Sequence, residues 1–423
     1  LYIAKENDTI QKNGGAMLMF SIPKSFSSES EAYITIPPMK QFISEHQIVD
    51  AISTLDRSEL LEAIIQFGQE SKENEECVLS WLDSTLKEGT KDIFIYVLDD
   101  EADVLQLFCD DQAVKAALDP LLGNPNRQHL VGFQYSAKLK LFRYSIQITD
   151  RGRVISLAFG ALLSGFDRII GSRIVTYPIF IDIYVDKKVI IGRAKPKAGL
   201  YEYMDPFSLE NANTTNPHKQ IEKAIRFLED QLDIEFQFNA DSKLDFKKHL
   251  YALLKMFTET PASIIEIMNA KKSMIDEVIK QMHDDICSLP SGYKRDLKTD
   301  IYNLVEKYLS ISTADKSIFI KDREAYPLKI SATDDEDSKV EQTSALEQPL
   351  QSKAIFFDNK KMMQLSECCD GIVFMFQRLN SQYHARKDFP VKISAMKNEC
   401  YIKLTQYTSE EDILHAIFLL IEA

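Results

Sequence analysis

The usual catalytic and metal signatures are missing from this sequence. There is no CxxC pair, no GxxxxGK[ST], no GxGxxG behind a strand, no GxSxG and no HExxH. Phosphate-cradling loops, nucleophile elbows and zinc helices therefore have no support. The three glycines from Gly160 to Gly171 are followed by no lysine that would reach a phosphate, and they read as turn and close-packing positions. No run reaches the roughly 18 uncharged apolar residues of a membrane helix. The nearest approach, Val154 to Phe166, is interrupted by Gly160, Ser164 and Gly165 and reads as strand plus buried turn. The start, Leu1-Tyr2-Ile3-Ala4, lacks the n-region and h-region of a signal peptide. Cysteine is scarce and without framework spacing: Cys77, Cys109, Cys287, Cys368, Cys369 and Cys400. That excludes a disulfide scaffold and points to a reducing, cytoplasmic compartment. His283 and Cys287 lie one helical turn apart, but two ligands without a third do not make a metal site.

What remains is an ordinary globular composition on a long chain. At 423 residues, with 45% hydrophobic and 27% charged, the chain is too long for one core and reads as several domains. The expected fold class is α+β and multi-domain, with an antiparallel β-hairpin module, a helical segment and a small C-terminal α/β unit. Residues 1–123 read as an N-terminal α/β region. Short strands are expected at Ala16–Ile22 and Ala32–Ile36, ahead of the Pro37-Pro38 break. Asp56 and Ser58 are N-cap candidates for the helical run Leu60, Leu61, Ile64, Ile65, and Asp92–Leu98 reads as a fully buried strand. Residues 124–205 read as a basic antiparallel module, with turns at Asp150-Arg151-Gly152-Arg153 and Asp186-Lys187-Lys188. Residues 206–330 are helical, with an amphipathic stripe at Ile221, Ile225, Leu228 and Leu232. Residues 331–352, with the acid run Asp334 to Asp337 beside Ser338, read as a solvated linker. Residues 353–423 form the terminal unit. Its expected elements are a strand at Ala354–Phe357, a helix near Lys360–Glu367, strands at Ile372–Phe376, Val391–Ser394 and Cys400–Leu404, and a last helix capped at Ser409.

Charge is the one lopsided property. The whole chain carries −14, which disfavours indiscriminate nucleic-acid or membrane binding. Residues 71–120 hold 4 Lys/Arg against 13 Asp/Glu, a net of −9, and residues 124–200 hold 13 against 4, a net of +9. Basic hairpin tips with neighbouring aromatics suit an anionic polymer. On that reading Arg151, Arg153, Lys187, Lys188, Arg193, Lys195 and Lys197 neutralise phosphates, and Tyr144 or Tyr184 stacks on bases. Equal and opposite neighbouring blocks equally suit pairing within the chain or between copies of it. Asp99, Asp100 and Asp103, just past the buried strand, define a further alternative: a Mg²⁺ or Mn²⁺ site for phosphoryl transfer. Ile95 to Leu105 also resembles the start of a response-regulator receiver domain, whose first strand ends in paired acids. The resemblance implies a phosphoacceptor Asp after a third strand, but the basic hairpins stand there instead, and no function is carried over.

The reading that follows is a non-enzymatic binding or scaffold protein, without a cofactor, that contacts nucleic acid through the basic module and assembles with protein partners. The alternatives are the metal-dependent enzyme and a purely protein-interacting or homo-oligomeric subunit. No membrane partner is expected.

Overall fold

A computed structural model describes residues 20–123, 129–169, 171–286, 290–333, 339–343 and 348–423. The chain divides into two compact units, Leu1–Leu82 and Asp83–Ala423. Arg127, Cys287 and the acid run from Asp334 to Asp337 lie outside the described residues.

In the first unit, α1 (Lys24–Ser27), α2 (Ile36–Glu45), α3 (Arg57–Glu70) and the start of α4 (Lys72–Lys87) bury Phe26, Met39, Phe42, Ile43, Leu60 and Ile64. The α3 start is the expected one. Asp56 Oδ1 accepts from the amides of Ser58 and Glu59 at 2.8 and 3.0 Å, and Glu59 returns a carboxylate to the Asp56 amide at 2.8 Å. The strand expected at Ala32–Ile36 is instead a left-handed turn at Ala32 followed by the entry to α2. Pro37 and Pro38 sit in that helix's first turn, where no amide hydrogen is required of them. Most of the strand expected at Ala16–Ile22 lies outside the described residues, and Phe20–Ile22 is not strand.

The second unit runs in blocks of helices and strands. After α4 come β1 (Asp92–Val97), α5 (Asp103–Phe108) and α6 (Asp111–Leu118). The hairpin strands follow: β2 (Lys140–Thr149), β3 (Gly152–Asp167), β4 (Gly171–Tyr184), β5 (Val189–Ala194) and β6 (Leu200–Glu202). The helical stretch holds α7 (Pro217–Leu232), α8 (Ser242–Phe257), α9 (Ala262–Ala270), α10 (Lys272–Gln281) and α11 (Lys294–Ser312). Then come β7 (Ala325–Thr333), β8 (Lys339–Thr343), α12 (Ala354–Ser366), β9 (Gly371–Gln377), β10 (Asp388–Ala395), β11 (Cys400–Leu404) and α13 (Glu410–Glu422). The described strands form one antiparallel sheet of eleven, in the order β2-β3-β4-β5-β1-β11-β10-β9-β7-β8, with β6 on β3. That sheet draws strands from every one of the five segments outlined by the sequence.

Strand β1 shows why both faces are covered. Ile93 and Ile95 join a core shared with α8, α12 and α13, while Phe94 and Tyr96 join one shared with α5, α6 and α7. Period-two alternation sends successive side chains to opposite faces, so a strand apolar from Ile93 to Val97 needs a helix layer on each. Two expectations change. Residues 331–352 are not linker throughout, since β8 pairs Val340 with Ala332 of β7 and a 3₁₀ turn follows at Leu350–Ser352. Ala354–Phe357 is the first turn of α12 rather than a strand, a distinction that a four-residue apolar run does not carry in itself.

Helix α7 lies close on β5 because position 192 has no side chain. A Cβ added at Gly192 would run into Ile221, which is fully buried. Gly192→Ala is therefore expected to lower stability by about 1–3 kcal/mol through overpacking, read as a lower urea midpoint at unchanged slope.

Candidate functional site

The basic residues singled out by the sequence meet mainly acids of the same chain. Lys187 pairs with Glu422 and Lys188 with Asp100, each at 2.7 Å. Arg153 donates to the Phe108 carbonyl at 2.7 Å and pairs with Asp111. Tyr144 gives its hydroxyl hydrogen to Asp119 at 2.5 Å. Arg143 reaches Asp83 at 2.5 Å, and Asp83 also takes His129 at 2.8 Å and the Leu130 amide at 2.9 Å. Asp83, Asp100, Asp111 and Asp119 all belong to the −9 block, so the two blocks answer each other. Arg151 lies over the Phe418 ring at 4.5 Å, and Lys197 is half-buried just past β5.

Three expected contact residues are not surface groups. Tyr184 is buried edge-on against Phe418, with ring centres 4.9 Å apart. Lys195 is buried and donates to Thr90 Oγ1 at 3.2 Å. Arg193 is 0% exposed. The reason is that β5 is an inner strand buried at every position, so Arg193 belongs to the strand and not to a loop beyond it. Asp99, Asp100 and Asp103 do follow β1 as expected. Among the described residues, however, no three His, Cys, Asp or Glu groups come together to hold a metal ion.

Around Arg193 the structure assembles a closed ring of charge that the sequence did not reveal. Arg193 Nη2 meets Asp182 at 2.5 Å, and Nη1 meets Glu410 at 2.5 Å. Lys87 closes the ring, 2.8 Å from Asp182 and 3.4 Å from Glu410, and Ser156 adds a hydroxyl to Asp182 at 2.6 Å. Beside it, Glu88 accepts the Glu410 amide at 3.1 Å and the Tyr407 hydroxyl. Burial pushes the Glu88 carboxyl up. Lys91, buried and donating to the Leu86 carbonyl at 2.8 Å, has its pKa driven well down by burial and by the neighbouring Lys195 and Arg193. A further buried pair, Arg378 and Asp412 at 3.2 Å, anchors the same end of α13, and Asp412 also accepts the Leu379 amide at 2.9 Å. The one signal in the sequence was an acid and a base, Asp182 and Arg193, each set among apolar neighbours on its strand.

Two other places gather polar chemistry. In the first unit Cys77 Sγ lies 3.4 Å from His46 Nε2, with Phe42 and Phe67 against the imidazole; burial raises the Cys77 thiol pKa. In the second, a cleft of about 490 Å³ opens between α8, α9 and α12. At its edge the buried Glu306 bridges Thr260 and Lys360 at 2.7 and 2.6 Å.

No family model matches the chain, and no curated protein or solved structure matches it either.

The ring has a pH signature. Burial alone would raise the Asp182 carboxyl, but Lys87 and Arg193, with hydrogen bonds from Lys87 and Ser156, hold it at about 2 against an ordinary 3.8. A carboxyl lowered on folding contributes stability above its unfolded pKa and loses it as pH falls through the folded one. Wild type is therefore expected to lose stability between pH 3.8 and about 2. In Asp182→Asn that acid-dependent step should shrink, while stability at pH 7 falls by about 3–5 kcal/mol because Arg193 loses a buried partner. Urea melts at pH 2, 3, 4 and 7 would check both.

Proposed function

We propose that this chain is a non-enzymatic interaction subunit, whose opposite charge blocks serve its own fold and which works by binding other protein chains. The observation that carries this reading is the pairing of Lys187, Lys188, Arg143 and Arg153 with Glu422, Asp100, Asp83 and Asp111. A phosphate backbone drawing on these residues would have to displace carboxylates already at contact distance. The exposed apolar side chains also favour protein partners: Ile265, Ile267, Met274, Val278, Leu304 and Tyr308 all lie on the helical stretch. None of the described helices is long and apolar enough to cross a membrane. No disulfide joins the described cysteines, which suits a reducing compartment such as the cytoplasm.

The test is a titration of labelled single- and double-stranded nucleic acid at several salt concentrations. No binding is expected even at about 50 mM salt, where phosphate contacts are strongest. Binding that weakens steeply with salt, and weakens further in Lys187→Glu/Lys188→Glu, would return the basic module to a phosphate-contacting role and overturn this reading.

A further inference from the structure

We propose that the cleft between α8, α9 and α12 binds a small monocarboxylic acid with a straight apolar chain. A site for a free small molecule goes beyond the interaction-subunit reading and stands apart from it. The cleft forms where two helix stripes face each other. Tyr251, Leu254 and Lys255 are spaced three and four residues apart on α8, as are Phe356, Lys360, Met363 and Gln364 on α12, so each set shares one helix face. Leu254, Phe356 and Met363 form the floor, and all three are buried members of the core beneath it. Ile265 of α9 adds an apolar wall, 45% exposed. The volume of about 490 Å³ falls within the range of small-molecule sites, roughly 300–1,000 Å³.

The charges of the lining decide the head group. Glu306, at the edge, has both oxygens occupied: Oε1 by Thr260 at 2.7 Å and Oε2 by Lys360 at 2.6 Å. The Glu259 carboxylate faces Arg323, whose guanidinium also donates to the Glu259 carbonyl. Lys255 is exposed and makes no ion pair or hydrogen bond among the described residues. One cation of the lining is thus left unanswered. The side chains of Tyr251 and Gln364 make no hydrogen bond among the described residues, and burial keeps the Tyr251 hydroxyl protonated as a donor. An ammonium flanked by neutral donors suits a single carboxylate, and the floor suits an alkyl chain. The C-terminus of another protein would also bring a carboxylate. Its main-chain amides would need partners of their own, however, and an apolar floor has none to give.

Calorimetric titration with hexanoate, octanoate and decanoate, below their micelle concentrations, tests this. One site per chain is expected, with affinity rising about two- to fourfold for each added methylene. Octylamine, the same chain with the opposite charge, should bind at least about tenfold more weakly than octanoate. Lys255→Glu should weaken octanoate binding at least about tenfold, while Lys255→Arg keeps it. Ile265→Asp should flatten the dependence on chain length. Both positions are exposed, and circular dichroism like that of wild type will show that the variants fold. No octanoate binding up to about 5 mM, octylamine binding as tightly as octanoate, or folded Lys255→Glu binding like wild type would each overturn the proposal. So would an acetylated peptide ending in leucine that binds where octanoate does not. None of these outcomes depends on nucleic acid, so they fail independently of the titration above.

Discussion

Burying Arg193 sets the terms for everything around it. A guanidinium taken fully out of water is several kcal/mol uphill unless carboxylates meet it in good geometry. Asp182 lies on β4 beside it, but Glu410 comes from the first turn of α13, 217 residues along the chain. Two carboxylates so close need a second cation, and Lys87 at the end of α4 supplies it. A single buried charge thus fixes the end of one helix, two strands and the start of another helix. Pairs of this kind contribute little net stability against an apolar replacement, and their value lies in rejecting alternative packings. A slip of β5 by one residue would leave Arg193 without either partner.

How much of this was legible follows from how far apart the partners stand. Local signals were readable: the Asp56 capping box, the Gly152 turn with its φ of 98°, the alternation of β4 and the stripe of α7 each declare themselves within a few residues. Opposed charge blocks were readable as numbers, because a count needs no geometry. Which acid met which base was not, since Lys187 and Glu422 are 235 residues apart and nothing in either neighbourhood names the other. Arg193 was placed at the surface because Arg193-Ala194-Lys195-Pro196-Lys197 looks like a basic loop, although the strand runs through Ala194. Cys77 and His46 meet only through the packing of α2 against α3 and α4, so their spacing carried no signal.

The charge map therefore has a different meaning in three dimensions. A net of +9 over the hairpins suggested a surface waiting for an anion. Much of that charge is instead the inner lining of a joint between sequence blocks. The module's exposed margin is mostly polar, and its exposed large apolar side chains are Ile148 beside one turn and Ile169 and Ile174 at the other end.

The position of β1 has a consequence for the order in which the protein is made. It is an inner strand, with β5 on one side and β11 on the other. Its side-chain link to β11, from the Tyr401 hydroxyl to Asp92 at 3.0 Å, joins residues 309 apart. A ribosome adding about 5–20 residues per second needs roughly 15–60 s to cover that distance. Throughout that interval β1 presents a bare, apolar edge, the kind that recruits stray strands. Its completion waits on a segment not yet translated, so closing that edge is a late step in the making of the chain.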